Sequence, residues 1–211
     1  MKIALYIFLI LLVILIVIYV CFHKKINLFI VLVTGKKRIQ KKLYRVCKIN
    51  DYLIINDFCL PMSKESYAHI DTIIFANKYI YIIKEIENYG EVKISLDDVS
   101  WRLISQGKLK VINNLLLENN NIIIKLTQLV KDLDKSRLKN IVIVSKYCKY
   151  EKISISNDEY ILSENEVIKQ INTLEKESKE KDFDSKEIEQ LAKEFYDQGL
   201  KMENRLKKGN D

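Results

Sequence analysis

The sequence predicts an α/β (α+β) chain: a mixed β-sheet flanked by helices, preceded by one transmembrane helix and followed by a helical extension. Three observations carry this. β-rich runs at 52–60, within 69–90 and at 140–146 share the chain with helix-period stretches at 34–43, 112–134, 163–176 and 185–206. Their order (helix, strands, helix, strand, helices) is that of a sheet with helices packed around it. One Pro and five Gly in 211 residues, with 48% hydrophobic and 30% charged residues, leave little room for disordered linkers and enough apolar surface for a core.

Ile3–Phe22 carries no charge over twenty residues. As a helix it would be about 30 Å long, the thickness of the hydrocarbon core, with its backbone polar groups satisfied internally. It is long for the apolar region of a signal peptide, no small-x-small cleavage site follows it, and Ile18-Tyr19-Val20-Cys21 lacks the small residues of a lipoprotein site. Residues 1–23 are therefore expected to form a retained, single-pass membrane anchor.

Lys2 precedes the run, whereas nine basic residues and no acidic one lie between Lys24 and Asn50. The positive-inside rule places the body of the chain in the cytoplasm, against the cell membrane, and the block Lys24–Lys48 is expected to attract anionic lipid head groups. Without the ten basic residues of 1–50, the remaining 25 face 28 acidic ones, so the overall charge of +7 is a juxtamembrane feature. Bulk electrostatic attraction to nucleic acid is thereby excluded beyond that block. Leu28–Val33, in the juxtamembrane segment 24–33, is apolar but too short to span again.

Thr34–Leu43 reads as a helix starting near Thr34, with Ile39 and Leu43 on one face. Tyr52–Leu60 is β-rich and stops at the one proline, Pro61. Cys21, Cys47, Cys59 and Cys148 are scattered without zinc spacing and are expected to be reduced packing residues.

His69–Gly90, HIDTIIFANKYIYIIKEIENYG, reads as two strands joined by a short turn at Ala76–Lys78. Asp71 enters the first strand; Glu85 and Glu87 end the second. Carboxylates brought together by a hairpin could hold Mg²⁺, a hard cation that takes oxygen ligands; the alternative is three exposed acids at strand ends. Geometry decides. With a two-residue turn at Asn77-Lys78, Asp71 pairs with Lys84 and Glu85 lies on the other face. A longer connection or a bulge would bring Asp71 and Glu85 together. His69 reads as a surface residue, and Tyr79 and Tyr81 alternate like one face of a strand.

Beyond the hairpin, Glu91–Ser95 reads as a strand and Trp101 as packing. Ile112–Asp134 reads as a helix with Leu115, Ile122, Leu126, Leu129 and Leu133 on one face, and Asn140–Lys146 as a buried strand. Ser163-Glu164-Asn165-Glu166 is a capping box opening a helix to about Lys176. A charged stretch leads to the last helix, 185–206, whose stripe of Ile188, Leu191, Ala192, Phe195 and Leu200 should dock on the body or pair with a protein partner or a second copy.

The run Ile70-Asp71-Thr72-Ile73-Ile74, followed by Tyr81-Ile82-Ile83-Lys84-Glu85-Ile86-Glu87-Asn88-Tyr89-Gly90, resembles the core of the nuclease-related domain (NERD) family, a branch of the PD-(D/E)xK nuclease-like fold. Gly35 before a helix, Trp101, the stretch Asn114–Asn119 and Ile141–Ser145 resemble further family elements in the same order. The resemblance implies a restriction-endonuclease-like mixed sheet over 34–162, with 163–211 as a C-terminal extension. It also implies a site in which Asp71 and Glu85 hold Mg²⁺ for phosphodiester cleavage.

The departures fall on the chemistry. Glu87 stands at the family's catalytic lysine, Lys36 at its opening glutamate, Leu115 at its proline and Glu118 at its glutamine. Glu87 places a third negative charge where a phosphate must approach. Lys84 points away by strand alternation. Lys36 and Glu87 together would be a charge swap within one pocket. The site residues are thus Asp71, Glu85, Glu87 and Lys36. The expected function is a membrane-anchored, catalytically weakened or inactive NERD-like protein that binds nucleic acid or a protein partner, with an active Mg²⁺-dependent DNA phosphodiesterase or a membrane scaffold as alternatives.

Overall fold

The computed structural model describes residues 2–63, 66–105, 107–130, 133–151 and 158–208; the side chains of 2–5, 21, 24, 26–28, 30–33 and 198–208 lie outside that description. The first helix, α1, runs from Lys2 to Asn50. Thr34 does not start it: with no proline or helix-capping break between 22 and 34, the apolar stretch, the basic block and the predicted 34–43 helix are one element. Leu28–Val33 lies within it, with side chains undescribed apart from an exposed Phe29.

The transmembrane anchor expected at Ile3–Phe22 is not supplied by this structure. Among the described residues no helix is long and apolar enough to cross a membrane. The described side chains of the run, at 6–20 and 22, are all exposed.

Among the described residues nine strands follow, forming two mixed sheets rather than the one expected. The larger has the order β1-β2-β3-β7-β9: β1 (Leu53–Pro61), β2 (Tyr67–Phe75), β3 (Ile80–Ile86), β7 (Leu138–Val144) and β9 (Glu159–Ser163). β1, β2 and β3 are antiparallel, while β7 runs parallel to both β3 and β9. The smaller sheet has the order β6-β5-β4-β8: β4 (Gly90–Lys93), β5 (Ser100–Ser105), β6 (Lys108–Asn113) and β8 (Cys148–Lys149). Helices α2 (Leu115–Leu129), α3 (Val167–Glu177) and α4 (Ser185–Lys208) complete the chain.

Side-chain alternation along β3 divides the core. Ile80 and Ile82 face α2 and α4, in a cluster with Ile122, Leu126, Leu191 and Phe195. Tyr79, Tyr81 and Ile83 face α1 and α3, with Ile39, Leu43, Cys47, Val167 and Ile171. A third cluster, around Trp101, Val92, Val142 and Val144, joins the small sheet to the large one. Trp101 is a packing residue, 1% exposed, whose indole N–H donates to Ser95 O. Ile188, Leu191, Ala192 and Phe195 of the α4 stripe pack into the first cluster, so the last helix docks on the body, chiefly against β1; the side chain of Leu200 lies outside the described residues. Cys47 and Cys148 are buried packing residues, and burial pushes their thiols up to about 12 and about 11.

The predicted helix at 112–134 begins later than its periodicity suggested, because Ile112 and Asn113 belong to β6. Asn114 caps α2, its Oδ1 accepting from Leu116 N and Leu117 N while its Nδ2 donates to Asp98 O. Asn114→Ala should therefore cost about 1–2 kcal/mol in urea unfolding. Asn119 is fully buried and donates to Ile82 O, Asn140 Oδ1 and Ile141 O, which fastens α2 across β3 and β7. The Ser163–Glu166 box is half formed. Glu166 accepts from both the backbone N–H and the hydroxyl of Ser163, but the helix starts after it, at Val167.

Candidate functional site

The hairpin turn is the two-residue one, Asn77-Lys78, with Ala76 N donating to Tyr79 O, and Phe75 faces Ile80 across it. Regular alternation from there would separate Asp71 from Glu85. The alternation does not stay regular. Ile55 and Phe58 of β1 reach the same core cluster, as do Ile70 and Ile73 of β2, which strict alternation forbids. Both strands turn over where Asp57 lies opposite Asp71, between the pairs Asn56–Thr72 and Phe58–Ile70. Asp57 has φ 55°, a left-handed conformation that Asp tolerates better than bulky residues do. β2 also leaves β3 at this point, the last paired residues being Thr72 and Ile83. The local irregularity turns Asp71 to the Glu85 side, and Asp71 Oδ2 accepts the backbone N–H of Glu85 at 2.9 Å.

Lys36 enters the same pocket from α1. Its ammonium is bonded to Asp57 Oδ1 and lies 3.2 Å from Asp71 Oδ1. Partial burial works against that charge, but the bond to Asp57 and the charge of Asp71 outweigh it and raise the Lys36 pKa. The Asp57 carboxyl is lowered, since its bond to Lys36 overcomes its own partial desolvation.

His69 completes the group, with Nε2 3.5 Å from Asp57 Oδ1 and Nδ1 3.5 Å from Asp71 Oδ1. The ligand atoms of Asp57, His69 and Asp71 lie within 4.8 Å of one another, a set that could hold a metal ion.

Glu85 and Glu87 behave differently. Both carboxylate oxygens of Glu85 are buried with no hydrogen-bond partner among the described residues. Burial, then the charges of Asp71 and Glu87, push its pKa up to about 9, so it is neutral at pH 7. Glu87 packs against the α1 backbone where Gly35 leaves room; a Cβ at Gly35 would come within 3.1 Å of Glu87 Oε2. Its pKa is raised, burial and Asp71 outweighing the backbone N–H of Lys36 and the charges of Lys36 and Arg38. Lys84 lies on the opposite face and pairs with Glu118 of α2. Lys36 and Glu87 thus share one pocket, but the ammonium is bonded to the two aspartates.

The four residues singled out by the sequence therefore converge. Asp57 and His69 were missed as members. Their signal was an Asp inside a β-rich run and a His two residues before the key acid, and neither shows a function without the cross-strand register. A second cluster was also missed. Glu164, wholly buried, accepts from Arg38 Nε (2.9 Å) and Nη2 (2.7 Å) and lies 2.8 Å from Lys42 Nζ. Burial alone would raise its pKa; these partners lower it to about 2. The pairing fixes α1 to the segment after β9, and so fixes Lys36 over the hairpin.

Comparison with protein-family models, with curated proteins and with solved structures finds no match to this chain.

Chemically the pocket holds a fixed ammonium, two aspartates and a neutral carboxylic acid. A general base for water activation must be an available, ionised group. Asp71 is engaged by Lys36 and the Glu85 N–H, and Glu85 is protonated. A cation bound at Asp71 and Glu85 would have to displace the Lys36 ammonium from Asp71. Lys36 already supplies the positive charge at Asp71, and the imidazole of His69 is a donor that suits transition metals better than Mg²⁺.

Proposed function

We propose that this chain is a membrane-anchored, cytoplasm-facing NERD-like protein whose nuclease-type pocket is catalytically weakened or inactive. On this reading it acts by binding nucleic acid or a protein partner. The observation that carries the reading is the ammonium of Lys36 bonded within the carboxylate group built around Asp71. The family assignment is supported by the order of Gly35, Asp71, Glu85, Trp101 and Asn114–Asn119. It is also supported by the parts these residues play: a close approach at Gly35, a shared pocket, and a buried asparagine tying helix to sheet. The anchor is supported by the uncharged run 3–22 and by the basic block after it. Exposed Lys37, Lys41, Arg45 and Lys48 on α1 suit an anionic lipid or other acidic partner.

One observation favours a second reading, an active Mg²⁺-dependent phosphodiesterase in which Lys36 replaces the family's lysine: Asp71, Glu85 and Lys36 do share a pocket. Incubating the purified full-length protein with single- and double-stranded DNA and Mg²⁺ or Mn²⁺ separates the two. The proposal expects no cleavage above that of an Asp71→Ala control. Cleavage that Asp71→Ala abolishes would establish the second reading instead.

A further inference from the structure

We propose that the outer face of the small sheet is a second membrane contact, which docks on the surface of an anionic bilayer. This rests on the membrane-anchored reading above.

The face is defined by register. Lys93 pairs with Arg102, and Arg102 with Val111, so these three side chains project to one side, and Leu109, two residues before Val111, joins them. The opposite side carries Val92, Trp101 and Leu103 into the core. Leu109 and Val111 are 61% and 59% exposed, unusual for aliphatic residues in a strand, and Lys93 and Arg102 are exposed beside them. β6 is also the edge of its sheet, and its exposed Lys108 and Lys110 project to the other side of the strand.

The placement of the sheet gives the occupant. Gly35 of α1 lies against Glu87, just past the end of β3, and Tyr52, after α1, donates to Cys47 O near the start of β1. α1 therefore runs antiparallel to β3, and its apolar stretch 6–20 extends beyond the end of the large sheet where β3 and β7 finish. The small sheet starts at that same end, β4 at Gly90 and β8 at Cys148.

The chemistry agrees. On this face Lys93 and Arg102 stand beside Leu109 and Val111 with one acid, Glu91, while Lys108 and Lys110 lie along the same edge strand on its other side. Aliphatic side chains flanked by Lys and Arg suit a bilayer, where the stems enter the acyl boundary and the charges reach phosphate. The face has no exposed aromatic for base stacking, which single-stranded nucleic acid would favour. Pairing β6 with a second copy would set lysines against lysines.

The test uses the full-length chain in phosphatidylcholine nanodiscs with or without phosphatidylserine, read by amide hydrogen exchange, with vesicle flotation as a separate readout. The proposal expects the chain to float with vesicles of both compositions. It also expects exchange at residues 108–113 to be about fivefold slower or more with phosphatidylserine, α2 to be unchanged, and the difference to vanish in Lys93→Glu/Arg102→Glu. A chain that does not float would remove the anchor and, with it, this proposal. Flotation with equal exchange in both discs would overturn the docking face and leave the anchor standing. Protection produced by an added oligonucleotide, and not by phosphatidylserine, would assign the face to nucleic acid and overturn the proposal.

Discussion

Arg38→Ala is expected to lower the stability of the folded chain by about 3–5 kcal/mol, because it leaves a buried carboxylate without its bidentate partner. Glu164 is 0% exposed and Arg38 only 20%, so water cannot replace the lost guanidinium. Lys42 remains 2.8 Å away, but as a single point charge at the rim. Arg38 also stacks over the Tyr147 ring, so its loss removes packing as well. Urea unfolding at pH 7 measures the effect, and Arg38→Lys should recover only part of it.

The pH dependence has a definite sign. The Glu164 pKa is held at about 2 in the fold, against 4.5 for the free side chain. Its contribution is therefore complete above about pH 4.5 and is lost as pH falls from there towards 2. Wild type should lose stability across that window and Arg38→Ala much less.

Glu85→Gln is expected to act in the opposite direction, raising stability at pH 7 by up to about 3 kcal/mol. In the folded chain the Glu85 carboxyl holds its proton up to about pH 9, whereas the unfolded chain releases it near 4.5. Folding at neutral pH must take up that proton, so this residue lowers stability progressively as pH rises from 4.5 towards 9. Glutamine has no such cost, and the advantage should disappear below pH 4.5. Urea midpoints for the pair at pH 4 and pH 7 test it. A buried acid that weakens the fold at working pH is the pattern of a binding or catalytic pocket rather than of a structural core.

The fold was legible where side-chain pattern and turn chemistry agree. Ile73–Phe75 and Ile80–Ile83 are runs of apolar strand formers, Asn77-Lys78 closes them, and Leu138–Val144 is buried along its whole length. β5 and β6 were not legible. Trp101-Arg102-Leu103 and Lys108–Asn113 are short and polar, and they form strands because pairing across the Ser105–Lys108 turn and the Trp101 cluster hold them. The sequence also divided α1 at its basic block, though a charged stretch with good helix formers need not interrupt a helix.

At the site, motif order identified Asp71, Glu85, Glu87 and Lys36. The register rule left two outcomes open for this hairpin, and the structure keeps the two-residue turn but adds a local irregularity that brings Asp71 and Glu85 together. Nothing in the order of residues shows that both strands turn over at Asp57 and Asp71, which depends on the left-handed backbone at Asp57. Asp57 and His69 became part of the site only through that irregularity.

The account rests on the Lys36 ammonium occupying the place between Asp57 and Asp71 that a bound cation would take. Titration of Mn²⁺ into the full-length protein and into Lys36→Ala, followed by isothermal calorimetry, tests this most directly. Lys36 is partly exposed, so the substitution should leave the fold intact. Removing the ammonium should uncover Asp57, His69 and Asp71 and tighten Mn²⁺ binding by about tenfold or more, on the order of 1.4 kcal/mol, with wild type binding weakly. Wild type binding Mn²⁺ as tightly as Lys36→Ala would contradict the account, because the lysine would then not be competing for the site.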